Sequence, residues 1–209
     1  MDSASKKEQL DDRWHKAIAA CKSGDLTSAL FLYRSLVEDG ELYAMVEVAR
    51  IYEVGGDGVG QNLEEAAKWY RRAVYEVDDP KAHLSLARLQ FNRSLNEEAS
   101  WEAFEKHGRA ALAKGEAEAA LLLAIALDDG RFGSRDLEKA KEYYALAADA
   151  GYLFARKRLQ ALKLYSGHVV SGLLGLLRVT RDILSVATQD PTDPRLAGLE
   201  KVRSKKIGA

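Results

Sequence analysis

"NLEEAAKWYRRAVYEV", residues 62–77, decides the fold. Ala66, Tyr70, Ala73 and Val74 stand at i, i+4, i+7 and i+8, the spacing of one face of an α-helix. Small residues on such a face let another helix approach closely, and the tyrosine ring fills the gap beside them. Asn62 stands where an N-cap belongs. Glu64 and Glu65 follow in the first turn, where the helix dipole favours negative charge. The segment reads as a helix that packs by its alanines.

Three further segments line up with it at a constant spacing of 37: "DLTSALFLYRSLVEDG" (25–40), "ASWEAFEKHGRAALAK" (99–114) and "DLEKAKEYYALAADAG" (136–151). The columns are Ala29, Ala66, Ala103, Ala140 and then Tyr33, Tyr70, His107, Tyr144. A second pattern precedes each of the last three segments: "AMVEVARIY" (44–52), "AHLSLARLQ" (82–90) and "AALLLAIAL" (119–127) share Ala, an aliphatic four on and Ala five on. "WHKAIAACKSGD" (14–25) supplies a shorter first member, and "YLFARKRLQALKLY" (152–165) begins another. Each repeat is therefore a helix–loop–helix hairpin, helix A then helix B. Asp25 and Asp136 take the N-cap place of Asn62. The unit at 96–114 is irregular, because it lacks that cap in register and its loop "FNRSLNEE" lacks glycine.

"GGDGVG" (55–60) raises the question of a phosphate-binding loop. A P-loop needs a strand before it and Lys-Ser/Thr after it, but here a helix precedes and Gln61-Asn62 follow. Gly130 and Gly133 of "DDGRFGSRD" (128–136) match Gly55 and Gly58. A loop that recurs with the repeat is a connector whose glycines supply positive φ.

Composition fits a soluble, helix-rich protein: 30% of residues are charged, 47% are hydrophobic and only three are proline. A single cysteine, Cys21, allows no internal disulfide framework and suits a reducing cytoplasm. The first twelve residues hold no apolar stretch of a secretory leader, and no apolar run reaches bilayer length. Residues 1–151 carry 28 acidic against 20 basic side chains, whereas residues 152–209 carry 11 basic against 4 acidic. An acidic body disfavours nucleic acid as a specific partner. His15, His83, His107 and His168 have no metal-ligand spacing, and no hydrolase, zincin or kinase signature is present. The acidic pair Glu97/Glu98, like Glu64/Glu65, reads as a helix start rather than a catalytic pair. No cofactor, metal or enzymatic activity is expected.

These columns resemble the Sel-one-like repeat (SLR), a branch of the tetratricopeptide superfamily. In the unit from Ala44 to Val77 the matching residues include Ala49, Tyr52, Gly55, Gly58, Val59, Trp69 and Tyr70. In the unit from Ala119 to Gly151 they include Ala124, Gly130, Gly133, Asp136, Ala140, Tyr144 and Gly151. The resemblance covers about residues 12–165 and implies an all-α solenoid of about four antiparallel hairpins. It also implies a non-enzymatic scaffold or adaptor that binds a protein or peptide partner. Relatives act in envelope polysaccharide regulation, host interaction and toxin immunity. Some secreted relatives carry a disulfide in every repeat, and Cys21 alone sets this chain apart from them.

In such arrays the A helices line a concave binding surface. Helical phasing places Tyr43, Arg50 and Glu53, then Arg88 and Phe91, then Leu121, Ile125 and Asp128, toward that groove, with Trp14 closing its N-terminal end. Apolar residues flanked by Arg50 and Arg88 suit a segment with apolar anchors and a carboxylate. The stretch "HVVSGLLGLLRVTRDILSVA" (168–187) forms a helix with a wide apolar stripe, and Leu173, Leu177, Arg178, Arg181 and Ile183 are its docking candidates. Gly172 and Gly175 cost helix propensity there unless something packs closely on them. That helix has three expected roles: a cap on the last repeat, a dock for a partner, or a peripheral contact with the inner membrane surface. The expected organisation is a disordered 1–10, a solenoid over 11–165, the C-terminal helix over 166–190 and a basic tail over 191–209.

Overall fold

The computed structural model describes residues 3–92, 100–133, 135–165, 167 and 169–197. Among these residues there are ten α-helices, one short 3-10 turn and no strand. The chain divides into two compact units, Met1–Lys114 and Gly115–Ala209.

The first unit holds three hairpins: α1 (Ser3–Ser23) with α2 (Leu26–Glu38), α3 (Ala44–Val54) with α4 (Leu63–Val77), and α5 (Pro80–Asn92) with α6 (Trp101–Ala113). Helix α1 begins at Ser3, so the expectation of disorder over 1–10 is corrected for the residues described. The second unit holds α7 (Glu118–Asp129) with α8 (Leu137–Asp149), then α9 (Leu153–Tyr165) with α10 (Val169–Gln189), and the 3-10 turn Pro194–Leu196. Most of the expected basic tail, residues 198–209, lies outside the described residues, as do His168 and the Glu97/Glu98 pair.

Local chemistry starts the B helices where the sequence places them. The side chains of Asp25, Asn62 and Asp136 accept hydrogen bonds from the backbone N–H of Ser28, Glu65 and Lys139 at 3.0, 3.0 and 3.1 Å. Ala29, Ala66 and Ala140 are fully buried, and Tyr33, Tyr70 and Tyr144 are each 1% exposed.

The third hairpin corrects the constant spacing. Its cap is Ser100, whose hydroxyl accepts from Ala103 N–H at 3.1 Å, one residue beyond the expected register. The buried face of α6 is accordingly Phe104, Gly108 and Ala111, not Ala103, His107 and Ala110. Large and small have changed places: Phe104 takes the alanine position and Gly108 the tyrosine position. The ring is kept and moved by one turn. Phe104 packs on Phe91 and Trp101, with centroids 6.0 and 5.7 Å apart.

The loop 55–60 is a turn, as its recurrence implies. Gly55 ends α3 at φ 67°, ψ 179°, a conformation open essentially to glycine alone. Gly56 and Val59 exchange backbone hydrogen bonds of 2.8 and 3.1 Å, and buried Val59 pins the loop. Asn62 N–H then reaches back to Tyr52 C=O at 2.8 Å, as Asp136 N–H does to Leu127 C=O at 3.1 Å in the second unit.

Helices α9 and α10 run antiparallel, with Arg156 facing Asp182 at 3.8 Å and Gln160 facing Gly175. A Cβ on Gly172 lies 2.8 Å from Leu164 Cγ, and one on Gly175 overlaps Gln160. The two glycines are thus explained by close approach. Helix α10 covers α9 as the B member of a fifth hairpin.

A Cβ at Gly55 lies 2.8 Å from Gln61 Cα, whereas one at Gly60 meets nothing within 4 Å. Gly55→Ala is therefore expected to cost about 2–3 kcal/mol in urea unfolding, and Gly60→Ala to be neutral within about 0.5 kcal/mol.

Candidate functional site

A tyrosine ring buried to 1% exposure brings its hydroxyl inside, where an unpaired polar group costs about 1–3 kcal/mol. Each regular hairpin answers with groups on the two flanking A helices. Tyr70 donates to Glu53 Oε2 at 2.6 Å on α3 and is hydrogen-bonded to Ser85 on α5. Arg88 of α5 donates to Ser85 Oγ at 3.3 Å and stands 3.8 Å from Glu53, closing a polar ring. In the second unit Tyr144 donates to Asp128 Oδ2 at 3.0 Å on α7. Arg158 of α9 grips the same carboxylate through Nε and, at 2.7 Å, through a terminal nitrogen. Arg135 adds a third contact at 3.1 Å. In the first hairpin the Tyr33 hydroxyl is hydrogen-bonded to Cys21, with Glu47 and Arg50 of α3 nearby.

The electrostatics follow from this packing. Burial pushes the hydroxyls of Tyr33, Tyr70 and Tyr144 above the ordinary phenol value. Burial also pushes the Cys21 thiol up. For Asp128 burial acts upward, but Arg158, Arg135 and Tyr144 together hold the carboxyl below its usual value. The Asp128 carboxylate and the three phenols are thus held in the charge states of a structural contact.

The third hairpin has no tyrosine hydroxyl and needs no carboxylate, and Phe91 stands in the place of Glu53 and Asp128. Its polar feature is elsewhere. His83, 4% exposed, holds Asp78 Oδ1 through Nε2 at 2.8 Å, so that nitrogen donates and, while the ring is neutral, Nδ1 accepts. His107 Nδ1, 2.9 Å away, is then the donor. Lys114 also reaches Asp78, at 2.7 Å. Burial, with smaller pushes from His83, Lys106 and Arg71, lowers the His107 imidazole to about 4.

The structure separates the predicted groove residues into two sets. Phe91, Leu121 and Ile125 are buried at 1%, 3% and 6% exposure, so they are core positions rather than open surface. Phasing found the face of the helix but not its depth. Trp14 is half-buried and stacks edge-on against Tyr33, with centroids 5.4 Å apart. Arg88 belongs to the polar ring. Tyr43, at 62% exposure, and Arg50 do stand open on α3, and Val54, at 69%, continues the same face. Arg50 pairs only within its helix, with Glu47 at 2.7 Å.

On α10, Leu173 and Leu177 are exposed and Ile183 is half-buried. Arg178 and Arg181 line a groove of about 870 Å³ against Arg156, Gln160 and Lys163 of α9. Sequence reasoning missed the Arg158–Asp128–Tyr144 and Arg88–Ser85–Tyr70–Glu53 contacts. Their signal in the sequence is the shared column Glu53 and Asp128, which phasing directs toward the groove and the structure turns to the tyrosine hydroxyls. Among the described residues no group of His, Cys, Asp and Glu could hold a metal ion, and no helix is long and apolar enough to cross a membrane.

These features define an all-α repeat solenoid in which tyrosine contacts tie consecutive hairpins within each unit. The Sel1 repeat matches residues 42–76 and 117–152, the α3–α4 and α7–α8 hairpins, so these two hairpins are similar to Sel1 repeats. The fold of the chain is similar to that of a Sel1 repeat protein from Oxalobacter formigenes, with a TM-score of 0.63 and 19% identity over 75% of this chain and 64% of that one. It is also similar to an SLR-fold protective antigen of uropathogenic Escherichia coli, with a TM-score of 0.59 and 24% identity over 75% of this chain and 37% of that one. The chain thus spans less than two thirds of the length of either. No curated protein sequence matches it. Repeats of this family generally serve protein–protein interaction and are not enzymes.

Two outcomes test the contacts. Asp128→Ala removes the acceptor of the Tyr144 hydroxyl and the carboxylate that faces two guanidinium groups, and is expected to cost about 3 kcal/mol in urea unfolding followed by far-UV circular dichroism. Glu53→Ala should cost only about 1 kcal/mol, because Glu53 keeps 20% of its side chain in water. The second outcome concerns pH. An unfolded chain protonates His107 near 6.5 and the folded one only near 4. Stability from this group is therefore complete above about 6.5 and is lost as pH falls toward 4. His107→Asn keeps a donor toward His83 but cannot titrate. It should remove an acid loss on the order of 1–2 kcal/mol, reduced from the full shift by partial exposure, between pH 7 and 4.5.

Proposed function

We propose that this protein is a non-enzymatic adaptor that captures a partner protein on the exposed face of α3. The carrying observation is the division of polar groups within the first unit. Tyr33, Tyr70, Glu53, Asp78, His83 and His107 are committed to contacts between elements of the stack, while Tyr43, Arg50 and Val54 are presented outward at i, i+7 and i+11 along α3 and its N-cap. Tyrosine and arginine are the residues most enriched where binding energy concentrates, because each offers large contact area with directional polar ends. The Arg50 guanidinium, paired with Glu47 yet with 59% of its side chain exposed, suits a carboxylate on the partner, and Tyr43 and Val54 suit its apolar anchors. The family's general role in protein–protein interaction supports the same conclusion.

A photo-crosslinking amino acid at Tyr43, and separately at Tyr75 on α4 (87% exposed), checks this in the native host. A discrete adduct is expected from position 43 and none from position 75. Arg50→Glu in the position-43 protein should reduce that adduct about ten-fold or more. Equal labelling at both positions, or an adduct indifferent to Arg50→Glu, removes α3 from the binding surface.

A further inference from the structure

Six of the thirteen large hydrophobic residues exposed among the described residues lie on one helix. They are Val169, Val170, Leu173, Leu174, Leu177 and Leu184 of α10, at 53%, 73%, 51%, 51%, 70% and 60% exposure. The opposite side of α10 is already seated on α9 through Gly172, Gly175 and Val179. The outer stripe has a period of seven: Val170, Leu177 and Leu184 form one row, and Leu173, Thr180 and Ala187 the row beside it. That is the spacing of a helix–helix seam. Together the six side chains expose on the order of 600 Å² per copy, at the upper limit for the largest apolar patch of a monomer. Two such stripes laid together hide on the order of 1,200 Å², the lower bound of a stable protein interface.

We infer that the occupant of this stripe is a second copy of the same chain, with α10 pairing antiparallel to α10 about a two-fold axis between Leu177 and Thr180. Side-chain size selects this arrangement. Antiparallel pairing forms three kinds of layer: Val170 against Ala187 of the second copy, Leu173 against Leu184, and Leu177 against Thr180. Large meets small or both are leucine, and no layer is hollow. Parallel pairing instead stacks Thr180 on Thr180 and Ala187 on Ala187, leaving voids where the packing should be densest. A two-fold axis also makes the contact self-complementary and closed.

Charge makes the inference distinctive. Arg181, 81% exposed and 3.7 Å from an Asp182 that it shares with Arg156, flanks the seam close to the axis, and Arg178 makes no ion pair among the described residues, so the basic charge there is in excess. Two copies therefore bring like charges together, and added salt should strengthen the dimer by screening them. An acidic partner or an anionic membrane on the same face gives the opposite salt dependence. This inference rests on α10 of the second unit and the proposed function on α3 of the first, so the two stand or fall independently.

Sedimentation velocity of the full chain across the micromolar range is expected to show a concentration-dependent dimer, stronger at high salt. Leu177→Glu should weaken it about ten-fold or more while leaving far-UV circular dichroism unchanged, since Leu177 is 70% exposed. For orientation, Leu177→Cys and Thr180→Cys chains in a Cys21→Ser background are mixed and oxidised. The mixed disulfide should dominate over either homodisulfide. A chain that stays monomeric overturns the inference, as does a dimer indifferent to Leu177→Glu, or a preference for homodisulfides. A monomer that floats with phosphatidylglycerol vesicles and is released by salt overturns it in favour of a membrane surface.

Discussion

A buried phenol hydroxyl is the constraint on which the repeat stacking depends. The rings of Tyr33, Tyr70 and Tyr144 fill the space beside an alanine-lined face, and removing the ring would leave a cavity between helices. Burying the ring takes the hydroxyl with it, and the hydroxyl needs partners. The hydroxyl's partners are Cys21, Glu53 or Asp128 on helix A of its own hairpin and, for Tyr70, Ser85 on helix A of the next, while Arg158 of the next helix A holds Asp128. One tyrosine therefore ties two consecutive hairpins in each unit. Area burial alone is tolerant of sliding, whereas hydrogen bonds 2.6 to 3.0 Å long fix a register.

The third hairpin shows the same rule by exception. With Gly108 at the tyrosine position there is no hydroxyl to satisfy, and an aromatic residue, Phe91, replaces the carboxylate. Ring volume is restored by Phe104 and Trp101. Had a carboxylate stayed at position 91 it would have been buried among rings without a donor, at a cost of several kcal/mol. The changes at 91, 104 and 108 are thus one change, the replacement of a polar contact by an aromatic one.

This coupling explains what was legible in the sequence. Caps, glycine turns and the i, i+4, i+7 faces are local, so Asp25, Asn62, Asp136, Gly55 and Gly130 declare themselves in single stretches. The slip at α6 was not legible, because aligning columns tests one position at a time. Exchanging large and small between two positions preserves volume while defeating that test. The polar stretch 3–10 resembled a disordered end, yet its Lys, Glu and Gln are good helix formers that extend α1. Phasing likewise gave direction without depth: Arg50 and Ile125 occupy equivalent columns, but one stands in solvent and the other is 6% exposed.

Depth matters for function because the framework consumes its own chemistry. Carboxylates that pair with tyrosine and arginine inside the stack cannot also bind a partner without loosening the stack, so recognition falls to side chains outside the tyrosine contacts. Two such sets exist, and they differ in kind. The α3 face combines an aromatic, a guanidinium and one aliphatic, a directional surface suited to a specific carboxylate-bearing partner. The α10 stripe is aliphatic and periodic, with few hydrogen-bonding groups, and its selectivity can come only from shape. Shape selects strongly when both surfaces are helices of matching period. A surface of that type is best matched by a copy of itself.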